Sequence, residues 1–165
     1  MNALQVTRKR FLNLASLGII GLNIPLTIVA RQQQKPPALD AALVKDYVTK
    51  AHADLPGLTA LLQQQPALLN ASWDWGGGDF ESALEAAGHM GRKDIAAFLL
   101  SNGARMNIFC AAMLGKINVV KSILTVYPDL KSSKGPHGLQ LLHHARHGGD
   151  EAKEVLQYLE SIGAS

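Results

Sequence analysis

The 165-residue chain has a single cysteine, Cys110, so it has no internal disulfide framework and no cysteine-only metal site. Aromatic residues amount to only 5% of the chain, and there is no sustained heptad run of the kind a coiled coil needs. Acidic residues are missing altogether before Asp40, while Arg8, Lys9 and Arg10 lie in that stretch. The formal net charge is +3, and these three basic residues account for all of it. Beyond residue 30 the 13 remaining basic side chains balance the 13 acidic ones. The basic pI is therefore a property of the N-terminus and not of a binding surface, which removes the main support for a nucleic-acid role. What is present is apolar: 47% hydrophobic residues against 18% charged ones. That balance excludes a disordered or solvating chain and suits one compact domain.

The first 30 residues read as an address. Met1–Arg10 is polar and basic, and Phe11–Ala30 is 20 residues without a charge. Pro25 interrupts this stretch before a possible cut after Ala30. The order is that of a secretory signal, and the apolar run is also long enough to cross a bilayer as a helix. Ile28 is large for the usual small-residue cleavage rule, so an uncleaved anchor stays open, held with Arg8–Arg10 inside. A third reading has the helix packed on a cytosolic domain. Thr7-Arg8-Lys9-Arg10-Phe11-Leu12-Asn13 resembles a bacterial twin-arginine export motif, with Lys9 where the second arginine belongs and Asn13 in place of the final lysine. The resemblance implies a periplasmic protein, or one anchored in the cytoplasmic membrane through residues 11–30 and facing the periplasm. Residues 31–37, with three glutamines and then Pro36-Pro37, read as a linker, because consecutive prolines forbid a helix through them. The folded domain is expected over 38–165.

That domain repeats itself. Leu61-Leu62-Gln63-Gln64-Gln65-Pro66-Ala67-Leu68 recurs as Ile123-Leu124-Thr125-Val126-Tyr127-Pro128-Asp129-Leu130. Gly91-Arg92-Lys93-Asp94-Ile95 recurs as Gly115-Lys116-Ile117-Asn118-Val119. Each copy reads as a short helix, a glycine turn and a second helix with an aliphatic face. Helices of about ten residues are marginal alone in water and gain their order by stacking. Ser82 with Glu85 forms a capping box, and Gly91, Gly103, Gly115 and Gly163 sit where helices should end.

The stretch Ser82-Ala83-Leu84-Glu85-Ala86-Ala87, followed by Gly91, Asp94-Ile95, Phe98-Leu99-Leu100, Gly103-Ala104 and Asn107, resembles an ankyrin repeat. Weaker copies flank it. Between Gly91 and Gly115 a finger is missing, so Asn107 is expected to cap the next helix directly. Gly138, Leu142, His143 and Ala145 match a later copy, whose second helix should run from about Asp150 to Ile162. A degenerate first copy has helices near 40–53 and 55–65. The resemblance implies an all-α ankyrin-repeat solenoid of about four helix pairs behind the N-terminal signal or anchor helix. It also implies a non-catalytic module that binds another protein through its fingers and inner helices, with no cofactor.

Candidate chemistry is sparse. His143 and His147 are four apart and share a helical face, which raises a metal-binding accessory protein or enzyme as an alternative. His143 falls on the histidine of the repeat motif, where the family uses it to hold neighbouring backbone. His52, His89 and His137 are scattered over other copies, and no metal site is expected. Cys110 lies on an inner helix and reads as a small buried side chain. Gly76-Gly77-Gly78-Asp79 carries no phosphate-binding signature and reads as a turn. Both tryptophans fall in Trp73-Asp74-Trp75-Gly76-Gly77-Gly78-Asp79-Phe80, the finger between the first and second copies. Two roles stay open for these rings: contact with a partner, for which tryptophan is favoured, or capping the solenoid end. Trp73, Asp74, Trp75 and Phe80, with Lys134 and His137 of the second finger, are the candidate protein-binding residues.

Overall fold

The computed structural model describes residues 35–164. The signal or anchor reading of 1–30 and most of the linker lie outside them; Lys35, Pro36 and Pro37 are exposed and without regular structure. From Pro37 onward the described chain is one compact unit. It is mostly helical: α1 (Ala41–Lys50), α2 (Leu55–Gln64), α3 (Ala83–His89), α4 (Lys93–Ser101), α5 (Ile108–Met113), α6 (Ile117–Val126), α7 (Leu141–His147) and α8 (Lys153–Ser161). Two three-residue strands, β1 (Ser72–Asp74) and β2 (Phe80–Ser82), pair antiparallel between α2 and α3. Among the described residues no helix is long and apolar enough to cross a membrane.

The helices start where side chains satisfy their first amides. Asp40, Asp54 and Asn107 accept from the amides of Leu43, Gly57 and Cys110 at 2.8–2.9 Å, each filling one of the orphan donors at a helix start. Ser82 and Glu85 form the reciprocal capping box of α3. The expected direct start of α5 at Asn107 is present, and so are left-handed glycines at positions 91, 103, 115 and 163. Gly91 and Gly115 have a second reason to lack a side chain: a Cβ there would run into the carbonyl oxygens of His147 and Glu151. The sequence echo around Pro66 and Pro128 is an echo of backbone. Gln65 and Tyr127 leave their helices at φ −135, ψ 84 and φ −127, ψ 73, and each leads into a five-residue 3-10 turn.

Three boundaries differ from expectation. α1 and α2 are shorter than 40–53 and 55–65: Asp40 is the cap outside α1, residues 51–53 form a turn after it, and Gln65 leaves the helical region at the end of α2. The last helix does not begin at Asp150. Gly149 is left-handed at φ 60, so a 3-10 turn (Gly149–Ala152) precedes α8. The finger at Trp73–Phe80, in a chain expected to be all-α, is a β-hairpin with two short strands.

Helices pack in pairs, α1 on α2, α3 on α4, α5 on α6 and α7 on α8, and the first helices α1, α3, α5 and α7 also touch in that order. Small residues allow this row: Ala83, Ala86, Ala87, Ala111, Ala112 and Ala145 are all buried. Two apolar cores result. One joins Tyr47, Leu58, Leu68, Leu84, Ile95, Leu99 and Met113; the other joins Val120, Leu124, Leu141, Val155 and Leu159. Full burial of each such side chain contributes roughly 1.5–3 kcal/mol. Helix α5 serves both, with Cys110 and Met113 in the first core and Ala111 and Ala112 in the second.

Candidate functional site

The hairpin register pairs Trp73 with Glu81 and Asp74 with Phe80. Side chains of a strand alternate between faces, and the burial follows: Trp73 and Trp75 pack on the first core, Glu81 is fully buried, and Asp74 and Phe80 face out. Both tryptophans are therefore partly withdrawn from the surface. Lys45 lies 5.6 Å from the Trp73 ring centre, a cation–π contact. Asp74 holds the turn, its Oδ1 accepting from the amides of Gly76 and Gly78 at 2.8 and 3.1 Å. Phe80 is 61% exposed. It lines a cleft with Phe109, Glu85, Asp79 and the exposed Lys134. The second finger is closed by a bridge between Lys134 and Gln140.

Beneath the hairpin lies a cluster of side chains from four separate elements. Glu81 comes from β2, His52 from the turn after α1, His89 from the last position of α3, and His137 from the second finger. Their potential ligand atoms all lie within 4.8 Å of one another. His89 Nε2 is 2.9 Å from Glu81 Oε1 and 3.2 Å from His52 Nε2. His137 Nε2 is 3.4 Å from Glu81 Oε1, and His52 Nε2 is 3.5 Å from Glu81 Oε2. Trp75 Nε1 donates to Oε2 at 2.7 Å. Oε1 is buried, with no hydrogen bond of good geometry although His89 Nε2 lies 2.9 Å away. Burial pushes the Glu81 carboxyl up, but contact with His89, the Trp75 N–H and the nearby His52 outweigh it and hold it below the usual glutamate range. Glu81 is thus an ionised carboxylate inside the protein.

The far nitrogens of two of these rings are fixed. His52 Nδ1 faces the carbonyl oxygens of Val48 and Thr49 at 3.1 and 3.2 Å. A carbonyl only accepts, so this nitrogen carries a proton. His137 Nδ1 lies 2.9 Å from Asp79 Oδ2, while Asp79 Oδ1 accepts from the His137 backbone amide at 2.8 Å. In the neutral rings, Nε2 is then a bare lone pair turned towards the cluster. His137 is also the one non-glycine among the described residues with positive φ, at 58°. A left-handed histidine is uncommon and persists where the surroundings over-determine it.

The pair singled out by helical spacing is occupied otherwise. His143 Nε2 donates to the carbonyl oxygen of His89 at 3.1 Å, and His147 Nδ1 donates to the carbonyl oxygen of His143 at 2.9 Å. Their rings stack at 4.1 Å. His143 thus braces the segment carrying His89. The group that does converge was passed over in sequence because its members lie far apart; the one local signal is that each precedes or follows a turn. Cys110 is buried, and burial together with the negative Glu85 pushes its thiol up to about 12, so it remains protonated. No protein-family model, curated protein or solved structure matches the chain.

Proposed function

We propose that residues 38–165 form an ankyrin-type repeat module that binds another protein without covalent chemistry. In this reading the N-terminal segment takes it across the bacterial cytoplasmic membrane or anchors it facing the periplasm. The observation that carries the binding role is the pairing of helices in a row with two projecting fingers, Trp73–Phe80 and Lys134–Gln140, beside one cleft. Such rows leave one edge open, and ankyrin-type modules recognise partners along it. Phe80 gives the apolar contact and Lys134 the charged one, while Trp73 and Trp75 brace the finger from behind.

The test is site-specific photo-crosslinking in native cells, with the photoreactive residue placed at position 80, at position 134, or at Tyr127. Tyr127 is 61% exposed, follows α6 and does not line the cleft. A discrete heterotypic adduct from 80 and 134 but not from 127 supports the finger surface. Adducts at 127 alone, or none at any position, overturn it. N-terminal sequencing of the mature protein from fractionated cells checks the export reading, for which Arg31 is the expected first residue after cleavage.

A further inference from the structure

We infer that His52, Glu81, His89 and His137 bind one divalent transition-metal ion of the zinc class. This inference stands apart from the partner-binding reading and rests on the donor set alone. Three imidazole nitrogens and one carboxylate oxygen suit zinc and its neighbours, and not calcium or magnesium, which prefer oxygen. Tetrahedral bonds of about 2.0–2.1 Å set ligand-to-ligand edges of roughly 3.3 Å. Three of the six edges, His89–Glu81 Oε1, His52–His89 and His137–Glu81 Oε1, measure 2.9, 3.2 and 3.4 Å, around that value, and all the donor atoms lie within 4.8 Å of one another.

The protein's own hydrogen bonds leave lone pairs free for a cation there. With Nδ1 of His52 and of His137 protonated against their acceptors, their bare Nε2 atoms face a carboxylate: His52 towards Glu81 Oε2 at 3.5 Å, His137 towards Oε1 at 3.4 Å. Lone pair set against lone pair is repulsive without a positive species between them. A proton network can supply that charge as well, with one of the facing nitrogens of His52 and His89 donating to the other across 3.2 Å, and it is the alternative that the experiment below separates from an ion. A single ion satisfies every donor, including the orphaned Glu81 Oε1. The outer contacts have the form of a metal site as well. Asp79 orients His137, backbone carbonyls orient His52, and the Trp75 N–H occupies the second carboxylate oxygen, leaving Oε1 to bind in monodentate fashion. Four protein donors fill a tetrahedral shell, which makes the ion a clasp and not an open reaction centre.

The experiment uses the untagged full-length chain, stripped with chelator and titrated with zinc or cobalt(II) chloride. Metal analysis after dialysis, the visible absorption of tetrahedral cobalt, and melting temperature are read together. The expected result is one equivalent bound, intense cobalt bands in the visible region, and a melting temperature raised by the metal. His137→Gly relieves the left-handed backbone while removing a ligand, so it should fold without metal at least as well as the native chain. It should nevertheless lose about 100-fold or more in zinc affinity. His52→Gln should weaken binding similarly, and His147→Gln, outside the set, should leave it unchanged. Absence of stoichiometric binding to the stripped native chain would overturn the inference and leave a cluster held by protons alone. So would a site that survives both His137→Gly and His52→Gln, or one abolished only by His147→Gln.

Discussion

At the scale of single residues, the buried histidine His144 sets the response of the fold to acid. Its Nδ1 donates to the carbonyl oxygen of Gln140 at 2.9 Å, its Nε2 is buried without a partner, and its ring packs 5.0 Å from Phe109. Burial pushes its pKa down to about 4, from 6.5. A folded-state pKa below the unfolded one means that the unfolded chain takes up the proton first. Stability from this group is therefore complete above pH 6.5 and declines as pH falls towards 4. The full loss is about 3 kcal/mol. Stabilities from urea unfolding at pH 7 and pH 4.5 should differ clearly in the native chain, and the difference should shrink by about 2 kcal/mol in His144→Phe. An unchanged difference would place the acid sensitivity elsewhere. Cys110 gives a second check: with its thiol pushed up to about 12, it should react with an aromatic disulfide reagent only as fast as the protein opens. Immediate stoichiometric reaction in the native state would contradict its burial. The burial of Cys110 was legible in the sequence; that of His144 was not. His144 is one member of a histidine-rich run, and only the packing of α7 on α5 separates it from His143 and His147.

At the scale of elements, the sequence was most legible where a local rule is strong. The caps at Ser82 and Asn107, the glycine turns and the repeated proline breaks each follow from the chemistry of a few adjacent residues. The strands of the finger were hidden because three residues are too short to display a period of two. Its inward face is fixed by Glu81, whose burial depends on histidines 37 or more positions from each other in sequence. Glycine positions separate local from tertiary demands. Gly163 and Gly115 have nearly the same left-handed φ, 65 and 66, but a Cβ at 163 meets open space and one at 115 meets the backbone of Glu151. Gly163→Ala should cost only the backbone penalty of roughly 1–2 kcal/mol. Gly115→Ala should cost more than about 3 kcal/mol, because steric overlap with fixed backbone is added. Equal losses in denaturant unfolding would mean that α5 and the turn before α8 do not approach as described. Asn107→Ala should cost about 1 kcal/mol, the usual value of a lost helix cap.

At the scale of the whole molecule, the consequence of building from pairs is that stability need not be uniform. Contacts run between neighbours along the row, so the two cores are linked chiefly through α5 and the short approach of α3 to α7. A defect in one should be felt less in the other. Leu159 is fully buried in the second core, and Leu159→Ala should remove about 2–5 kcal/mol there. Native-state hydrogen exchange should then accelerate strongly in α6, α7 and α8 and little in α1 to α4. Equal acceleration throughout would show one cooperative unit and refute the independence of the cores. The histidine–glutamate cluster adds a condition. His52, Glu81 and His89 belong to elements of the first core, but His137 belongs to the finger that leads into α7. A proton network leaves that link weak, whereas an ion bound by all four residues fastens the second core to the first. Zinc added to Leu159→Ala should therefore slow exchange at the start of α7 more than at the end of α8, and in the Leu159→Ala, His137→Gly double variant that protection should vanish.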